Sequence, residues 1–185
     1  MEDYTSIRIR SGIRYGSILP DDIMFMLPAG ISKKWSKEMY TIKRIGIEEK
    51  EQIKELFASV FTKEPWNDDW SDKEQLDCFI MDLIGQGYSL TYGLYEGDDM
   101  VGLSMGYIKH WYSGTEYYID EFCIRQDKQG QGAGTFFIKS IESAIKDLGL
   151  KQIFLQTNND VPAYEFYKKS GFTELETHVS FAKDV

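Results

Sequence analysis

The residues best suited to bind an anion form one short stretch, Gln129-Gly130-Gln131-Gly132-Ala133-Gly134. Three glycines let the backbone approach a ligand closely and turn its N–H groups toward negative charge. An apolar strand precedes this stretch, and an amphipathic helix predicted over 132–148 follows it, so the helix dipole adds positive potential at the same point. The pattern predicts a phosphate cradle, and the alternative is a turn that uses glycine for its geometry alone.

Two common phosphate-binding motifs do not fit this stretch. A Walker A loop is excluded because no Gly-Lys-Ser/Thr sequence follows the glycines. A dinucleotide-binding fold is not favoured either, because Gly97-Asp98-Asp99 predicts a tight turn between two of the preceding strands. The cradle is therefore expected in a sheet with antiparallel strands.

Hydrophobic periodicity predicts the elements that position the cradle. Strands are expected at 40–47, 90–95, 100–109, 116–125, 152–157 and 172–182. Helices are expected at 49–61, from Ser71 as N-cap with Glu74 completing a capping box, and at 132–148 and 161–170. The order predicts a mixed α/β (α+β) single domain over 40–185, with a central mixed sheet flanked by helices. Residues 1–39 are interpreted as an N-terminal extension, packed on the domain or on a second subunit.

A second motif lies downstream of the cradle. Residues 162–172 read Pro-Ala-Tyr-Glu-Phe-Tyr-Lys-Lys-Ser-Gly-Phe, and one helix and one strand separate them from the cradle. Together the two segments resemble the signatures of the GCN5-related N-acetyltransferase (GNAT) superfamily, Gln/Arg-x-x-Gly-x-Gly/Ala and Ala-x-x-x-Tyr-x-x-x-Gly-Phe. The motifs cover roughly 117–172, and the order of elements extends the resemblance over 40–185.

The resemblance implies that acetyl-CoA is the co-substrate and that splayed strands hold it. Backbone groups of one strand are then expected to pair with its pantetheine arm, and the cradle to hold its pyrophosphate. The implied cofactor-binding residues are Phe122, Cys123, Ile124, Gln129, Gly130, Gln131, Gly132, Ala133, Gly134, Thr135, Asn159, Tyr164 and Tyr167. One position departs from the family: Asp160 stands where many relatives have Asn.

The chemistry of amine acetylation requires few groups. The amine must lose a proton to a base, and CoA must leave as a thiol or thiolate. The resemblance assigns the role of general acid to Tyr167. The alternative is that Tyr167 is only a packed aromatic residue at a helix–sheet contact. Strand N–H groups can polarise the thioester carbonyl. Because direct transfer needs no protein nucleophile, Cys123 has no required catalytic role.

Ile119-Asp120-Glu121-Phe122 resembles the stretch at the same distance before the cradle in aminoglycoside 6′-N-acetyltransferases, where the Asp lies at the acceptor amine. Asp120 is therefore the first candidate for positioning or deprotonating the amine, and Glu121 the second. Neighbouring strand residues face opposite sides of a sheet, so only one of them is expected in the cleft. The alternative for Asp120 is an ordinary residue at the end of a strand.

The first half of the chain is rich in acids and aromatic residues. Trp66, Asp69 and Trp70, with Asp120, are the candidate acceptor-binding residues. Carboxylates interleaved with Trp suit a polyvalent cation through ion pairs and cation–π contacts. Equally, Trp66 and Trp70 could pack core helices while the acids face water.

Composition limits the partners. The net charge of −9 argues against nucleic acid, and either attracts a cationic partner or serves solubility. No apolar run approaches membrane-spanning length and no signal peptide is found, so a cytoplasmic location is expected. Cys78 and Cys123 are expected to be buried free thiols, and no metal site is expected. A homodimer is expected only by analogy with the family.

Three functions remain open. The first is an enzyme that acetylates a small cationic amine, aminoglycoside- or polyamine-like. The second is an enzyme that acetylates a protein N-terminus or a lysine, which requires an open groove for a peptide. The third is a non-enzymatic acyl-CoA-binding module, against which Tyr167 and Asp120 count.

Overall fold

The computed structural model describes residues 40–184. Within them the chain forms one sheet in the order β1-β2-β3-β4-β5, antiparallel from β1 to β4 and parallel between β4 and β5. The strands are β1 Thr41–Ile45, β2 Ser89–Glu96, β3 Asp99–Trp111, β4 Gly114–Ile124 and β5 Gln152–Leu155. The predicted mixed α/β architecture is confirmed. The predicted extension, residues 1–39, lies outside the described residues.

Four α-helices flank the sheet in the described region: α1 Lys50–Phe61, α2 Lys73–Ile84, α3 Ala133–Asp147 and α4 Pro162–Lys169. Short 3-10 turns cover Ile47–Glu49 and Gln126–Lys128. None of the helices in residues 40–184 combines the length and apolar character needed to cross a membrane.

The two faces of the sheet bury separate clusters. On one face α1 and α2 contribute Ile53, Phe57 and Ile80, which lie in one cluster with Met105 and Cys123 of the sheet. On the other face α3 packs against β4, and the buried residues there include Tyr117, Ile119, Ile124, Phe137 and Ile141. β4 is therefore sandwiched between two apolar layers, as expected for a central strand.

The helix that follows the α1–α2 loop begins one residue later than predicted. Asp72, not Ser71, is the N-cap of α2, and its Oδ1 accepts from the backbone N–H groups of Glu74 and Gln75, each at 3.0 Å. The Ser71 N–H instead donates to Asp69 Oδ1 at 3.0 Å. A carboxylate serves the positive end of a helix at least as well as a hydroxyl, which explains the shift.

Two further expectations are wrong. Cys78 is exposed on α2, whereas Cys123 is buried as expected. No strand forms over 172–182 among the described residues, and Leu175, Val179 and Phe181 of this segment are exposed. Alternation of apolar residues is not enough for a strand, because its backbone N–H and C=O groups also need a neighbouring strand to pair with.

Candidate active site

The site begins where β4 and β5 separate. Their parallel pairing runs from Glu116 opposite Gln152 to Ile119 opposite Leu155 and stops there. β4 continues to Ile124, still paired with β3 on its other side. In the described region the last residues of β4 thus have no neighbouring strand on the β5 side, and the expected splay of the two strands is present.

The open edge presents backbone hydrogen-bonding groups. The N–H of Arg125 donates to Val101 on β3 at 2.8 Å, and alternate residues of an antiparallel strand point the same way. The peptide groups of Phe122 and Ile124 therefore point away from β3, into the gap. The carbonyl oxygen of Ile124 accepts from the side-chain amide of Gln129 at 2.8 Å, which ties the start of the cradle to the end of β4.

The cradle has the geometry that its glycines predict. Gly130 and Gly132 have φ values of 68° and 88°, a region that favours glycine. Gly132 is the N-cap of α3, and its lack of a side chain leaves the first N–H groups of the helix uncapped. Ala133, Gly134 and Thr135 supply these N–H groups, and no acceptor bonds to them elsewhere in the described chain. Free N–H groups at a helix N-terminus form an anion site.

Gly134 has a separate role. A Cβ atom at this position would lie 3.2 Å from the ring of Phe166 on α4. The Phe166 ring in turn stacks on Phe122 of β4, with centroids 5.9 Å apart and planes at 16°. The third glycine thus allows α3, α4 and β4 to meet closely behind the cradle.

Tyr167 lies on the same helix and is buried against Phe122 and Phe172, with ring centroids 6.3 and 5.3 Å away. Burial raises the pKa of its hydroxyl, and the nearby Glu121 and Cys123 raise it further. The hydroxyl therefore stays protonated at neutral pH, as a hydrogen-bond donor must. No side chain in the described region bonds to it.

The acid pair, Asp120 and Glu121, lies on β4 at the point of splay. Met105 is opposite Glu121 and Gly106 is opposite Ile119, so Asp120 has no partner in β3 and forms a β-bulge. The β4 residues that face α3 have odd numbers before the bulge and even numbers after it. Ile119 belongs to the apolar cluster on the α3 side, and Phe122 packs against the same cluster. A classic bulge turns two successive side chains toward the same face.

Both carboxyl groups consequently point toward the α1–α2 face. Asp120 shares a cleft with Asp82 and Leu83 of α2, and the pKa of Glu121 responds to Asp68 of the α1–α2 loop. The expectation that only one of the pair faces this side is wrong, because the bulge interrupts the strict alternation on which it depended.

The two carboxyl groups differ in environment. Glu121 is largely withdrawn from water, and this burial, with the charges of Asp120 and Asp68, raises its pKa to about 7. Partial burial also raises the pKa of Asp120, which is the more exposed of the two. A carboxyl group with a pKa near 7 is suited to accept a proton at neutral pH.

The tryptophans of the α1–α2 loop pack inward. Trp66 lies 5.7 Å from Phe61, and Trp70 lies 5.4 Å from Phe57 and 4.9 Å from Phe79. The indole N–H of Trp70 is buried without a partner in the described chain. Both side chains thus have a packing role. Asp69 is exposed, and hydrogen bonds from the hydroxyl and backbone N–H of Ser71 lower its pKa.

Cys123, Asn159 and Tyr164 are three other residues predicted to bind the cofactor. The Cys123 thiol is buried, which raises its pKa and keeps it neutral. Asn159 lies exposed in the loop between β5 and α4. The Tyr164 hydroxyl donates to Glu174 Oε2 at 2.7 Å and accepts from Lys168 at 3.1 Å.

Sequence reasoning did not single out the aromatic surroundings of Asp120. Tyr88, Tyr107 and Tyr118 lie on the α2 side of the sheet, and Asp82 of α2 lines the same cleft as Asp120. The alternation of Tyr107, Lys109 and Trp111 was visible in the sequence, but only the register with β4 shows what these residues contact.

Comparison with known proteins agrees with this geometry. The model of the acetyltransferase (GNAT) family matches residues 50–172. The chain belongs to the GNAT acetyltransferase family. This GNAT chain is therefore an N-acetyltransferase enzyme, and the matched region contains both the cradle and Tyr167.

Solved structures share the fold. An aminoglycoside acetyltransferase from an uncultured soil metagenomic sample, in complex with sisomicin, matches with a TM-score of 0.63 and 22% identity over 80% of this chain and 97% of that one. AAC(6')-Iy, in complex with the bisubstrate analogue CoA-S-monomethyl-acetylneamine, matches with a TM-score of 0.62 and 12% identity over 79% and 99%.

A structure described as a possible acetyltransferase from Clostridium difficile 630 matches this GNAT chain with a TM-score of 0.67 and 14% identity, over 80% and 99% of the two chains. No curated protein sequence matches significantly. At these identities the structures establish the fold.

Proposed function

We propose that this GNAT chain transfers the acetyl group of acetyl-CoA directly to a primary amine of a small cationic acceptor, aminoglycoside- or polyamine-like. The observation that carries the proposal is the position of Glu121. Its carboxyl group, with a pKa of about 7, lies at the splay of β4 and close enough to Tyr167 to affect the pKa of that hydroxyl.

The described residues fit acetyl-CoA. The open edge of β4 at Phe122 and Ile124 suits the amide groups of a pantetheine arm, and the uncapped start of α3 suits a pyrophosphate. A Cβ atom at Gly130 would meet nothing within 4 Å, so the cradle is open to a ligand. When bound, the co-substrate supplies the activated acyl thioester.

The acid pair and Tyr167 then divide the proton transfers. Glu121 accepts a proton from the acceptor ammonium, and the free amine nitrogen attacks the thioester carbonyl carbon. The C–N bond forms as the C–S bond breaks, and the Tyr167 hydroxyl donates a proton to the departing sulfur. The second proton that the nitrogen loses as it becomes an amide reprotonates Tyr167. Burial raises the pKa of Tyr167, so its hydroxyl carries the proton that the departing sulfur receives.

A cationic acceptor follows from the charges around the reacting point. Asp68, Asp120 and Glu121 come close enough for their carboxyl groups to interact, and a polyamine or amino sugar relieves their mutual repulsion. A neutral or anionic acceptor would remove water from these carboxyl groups without supplying a positive charge to offset the loss of solvation. Sisomicin in the soil-metagenome relative provides an analogy for such an acceptor.

The test is acetyl transfer followed as release of free thiol, with products identified by mass. Spermidine, putrescine, an aminoglycoside such as kanamycin, and a short lysine-containing peptide serve as acceptors. We expect amine-dependent thiol release with the small cations. Transfer to the peptide alone would overturn the proposal in favour of protein acetylation, and acetyl-CoA binding without transfer to any amine would favour a binding module.

A further inference from the structure

Aromatic side chains form a row across the sheet beside the acid pair. Tyr107 of β3 stacks on Tyr118 of β4, with centroids 5.0 Å apart and planes at 13°. Tyr88, just before β2, meets Tyr107 edge-on at 5.8 Å, and Phe154 of β5 lies 4.9 Å from Tyr118. The row therefore extends from the start of β2 across β3 and β4 to β5, and Tyr118 lies two residues along β4 from Asp120.

One end of this row already holds an ammonium group, that of Lys109. Its Nζ lies 4.7 Å from the ring centroid of Trp111, 5.1 Å from that of Tyr118 and 5.8 Å from that of Phe154. The buried carboxylate of Glu116 lies 3.4 Å away. Aromatic faces with a carboxylate beside them form a favourable site for an ammonium group, and here the chain fills the site with its own side chain.

The other end has the same composition and lies open. Tyr88 and Tyr107 make a corner, with their planes at 79°. Asp82 of α2 and Asp120 line the same cleft, together with Lys109 and His110, and the cleft has a volume of about 500 Å³. Tyr88 is 56% exposed, so a ligand can reach its ring. Tyr88, Tyr107, Asp82 and Asp120 are called the open cage below.

We propose that the open cage binds a second ammonium group of the acceptor while the reacting amine lies at Glu121. This inference rests on the proposed function and deepens it, because it makes the substrate class a diamine or polyamine. The bulge supports the arrangement: it places Asp120 and Glu121 on one face, so one carboxylate serves the reaction and its neighbour serves the cage. Exposed cation–π contacts and ion pairs of this kind each change affinity by about twofold to fivefold.

The experiment compares putrescine with n-butylamine, which has the same carbon chain and one amine fewer. In Tyr88→Leu and Asp82→Asn, we expect KM for putrescine to rise about twofold to fivefold in each variant, with kcat and KM for acetyl-CoA unchanged. KM for n-butylamine should not change. Tyr112→Leu and Asp98→Asn, both exposed and outside the cleft, are the matched controls.

Calorimetric binding of putrescine to each variant, without turnover, separates the two proposals. If binding depends on Tyr88 and Asp82 but no amine is acetylated, the open cage stands and the proposed function falls. If transfer occurs and both KM and binding of putrescine are the same in all variants, the cage is overturned. An equal rise in KM for putrescine and n-butylamine also contradicts it, because the effect would not depend on a second ammonium.

Discussion

Gly106 of β3 lies against the backbone of Tyr118 so closely that a Cβ atom on Gly106 would be 1.9 Å from the Tyr118 carbonyl oxygen. This contact is next to the bulge at Asp120, where β4 has one residue more than β3. The missing side chain allows this close approach of the two strands, and the adjoining bulge places the acid pair on one face.

We therefore expect Gly106→Ala to disturb the bulge. Because the obstacle is backbone rather than a flexible side chain, the free energy of unfolding should fall by about 3 kcal/mol, and the folded fraction should transfer acetyl poorly while still binding acetyl-CoA. Urea denaturation and acetyl-CoA titration measure the two effects. Gly87→Ala is the control for stability, because a Cβ atom there meets nothing within 4 Å. Equal stability of the two variants would show that the strands can adjust.

Glu121→Gln tests the base. With a pKa of about 7, Glu121 is about half ionised at neutral pH and becomes fully ionised above it, so wild-type kcat/KM for the amine should rise with pH through about 7. In the Gln variant, kcat/KM should no longer rise with pH in this range, and the rate should fall about a hundredfold or more. If the rise of kcat/KM with pH is unchanged in the variant, the rise is due to another group.

The same substitution has a consequence for stability. The fold raises the pKa of Glu121 from its reference value of 4.5 to about 7, so the protonated form is favoured in the folded state. Wild-type stability should therefore fall as pH rises from 4.5 to about 7, relative to Glu121→Gln. Thermal unfolding at the two ends of this window measures the effect, and a constant difference in Tm would contradict the raised pKa.

Tyr167→Phe tests the acid. The variant removes a hydroxyl that has no hydrogen-bond partner within residues 40–184, so the free energy of unfolding should change by less than about 1 kcal/mol. We expect kcat to fall about a hundredfold with KM for acetyl-CoA nearly unchanged. Steady-state kinetics with acetyl-CoA varied gives both values. Unchanged turnover would leave Tyr167 as a packed aromatic only.

Gly130→Ala tests the cradle against a matched substitution. Gly130 and Gly149 have φ values of 68° and 77°, and an added Cβ meets nothing within 4 Å at either site. Each alanine should therefore cost about 1–2 kcal/mol of backbone strain. Only Gly130→Ala should also weaken acetyl-CoA binding, by about tenfold or more, because Gly149 lies at the far end of α3. Equal affinities in a calorimetric titration would place the pyrophosphate elsewhere.

Much of the fold follows from periodicity. The helix expected over 49–61 forms as α1, and its apolar residues at helical spacing are all buried: Ile53, Leu56, Phe57 and Val60. The strand over 172–182 was wrong because strand pairing depends on a distant partner, which local alternation does not encode. The start of α2 shifted by one residue because two adjacent residues, Ser71 and Asp72, could each cap it.

The site was predictable only in part. The glycines of the cradle and Tyr167 stand at family spacing, so their approximate positions could be inferred. The bulge could not be predicted, because side-chain directions inferred from sequence assume regular alternation along a strand. A glycine inside a strand pattern, here Gly106, is nevertheless a known signal for a bulge. The aromatic row beside the open cage depends on Tyr107 lying opposite Tyr118, a register that the separate strands do not reveal.

The central claim is direct transfer from acetyl-CoA to a small cationic amine. The most direct test is a single turnover with excess enzyme and acetyl-labelled acetyl-CoA in the presence of putrescine, quenched at intervals and analysed by mass spectrometry. The account predicts that the label passes to putrescine, that no labelled protein accumulates at any time, and that the transfer slows in Glu121→Gln. Label on Cys123, or label released as acetate with putrescine unmodified, would contradict it.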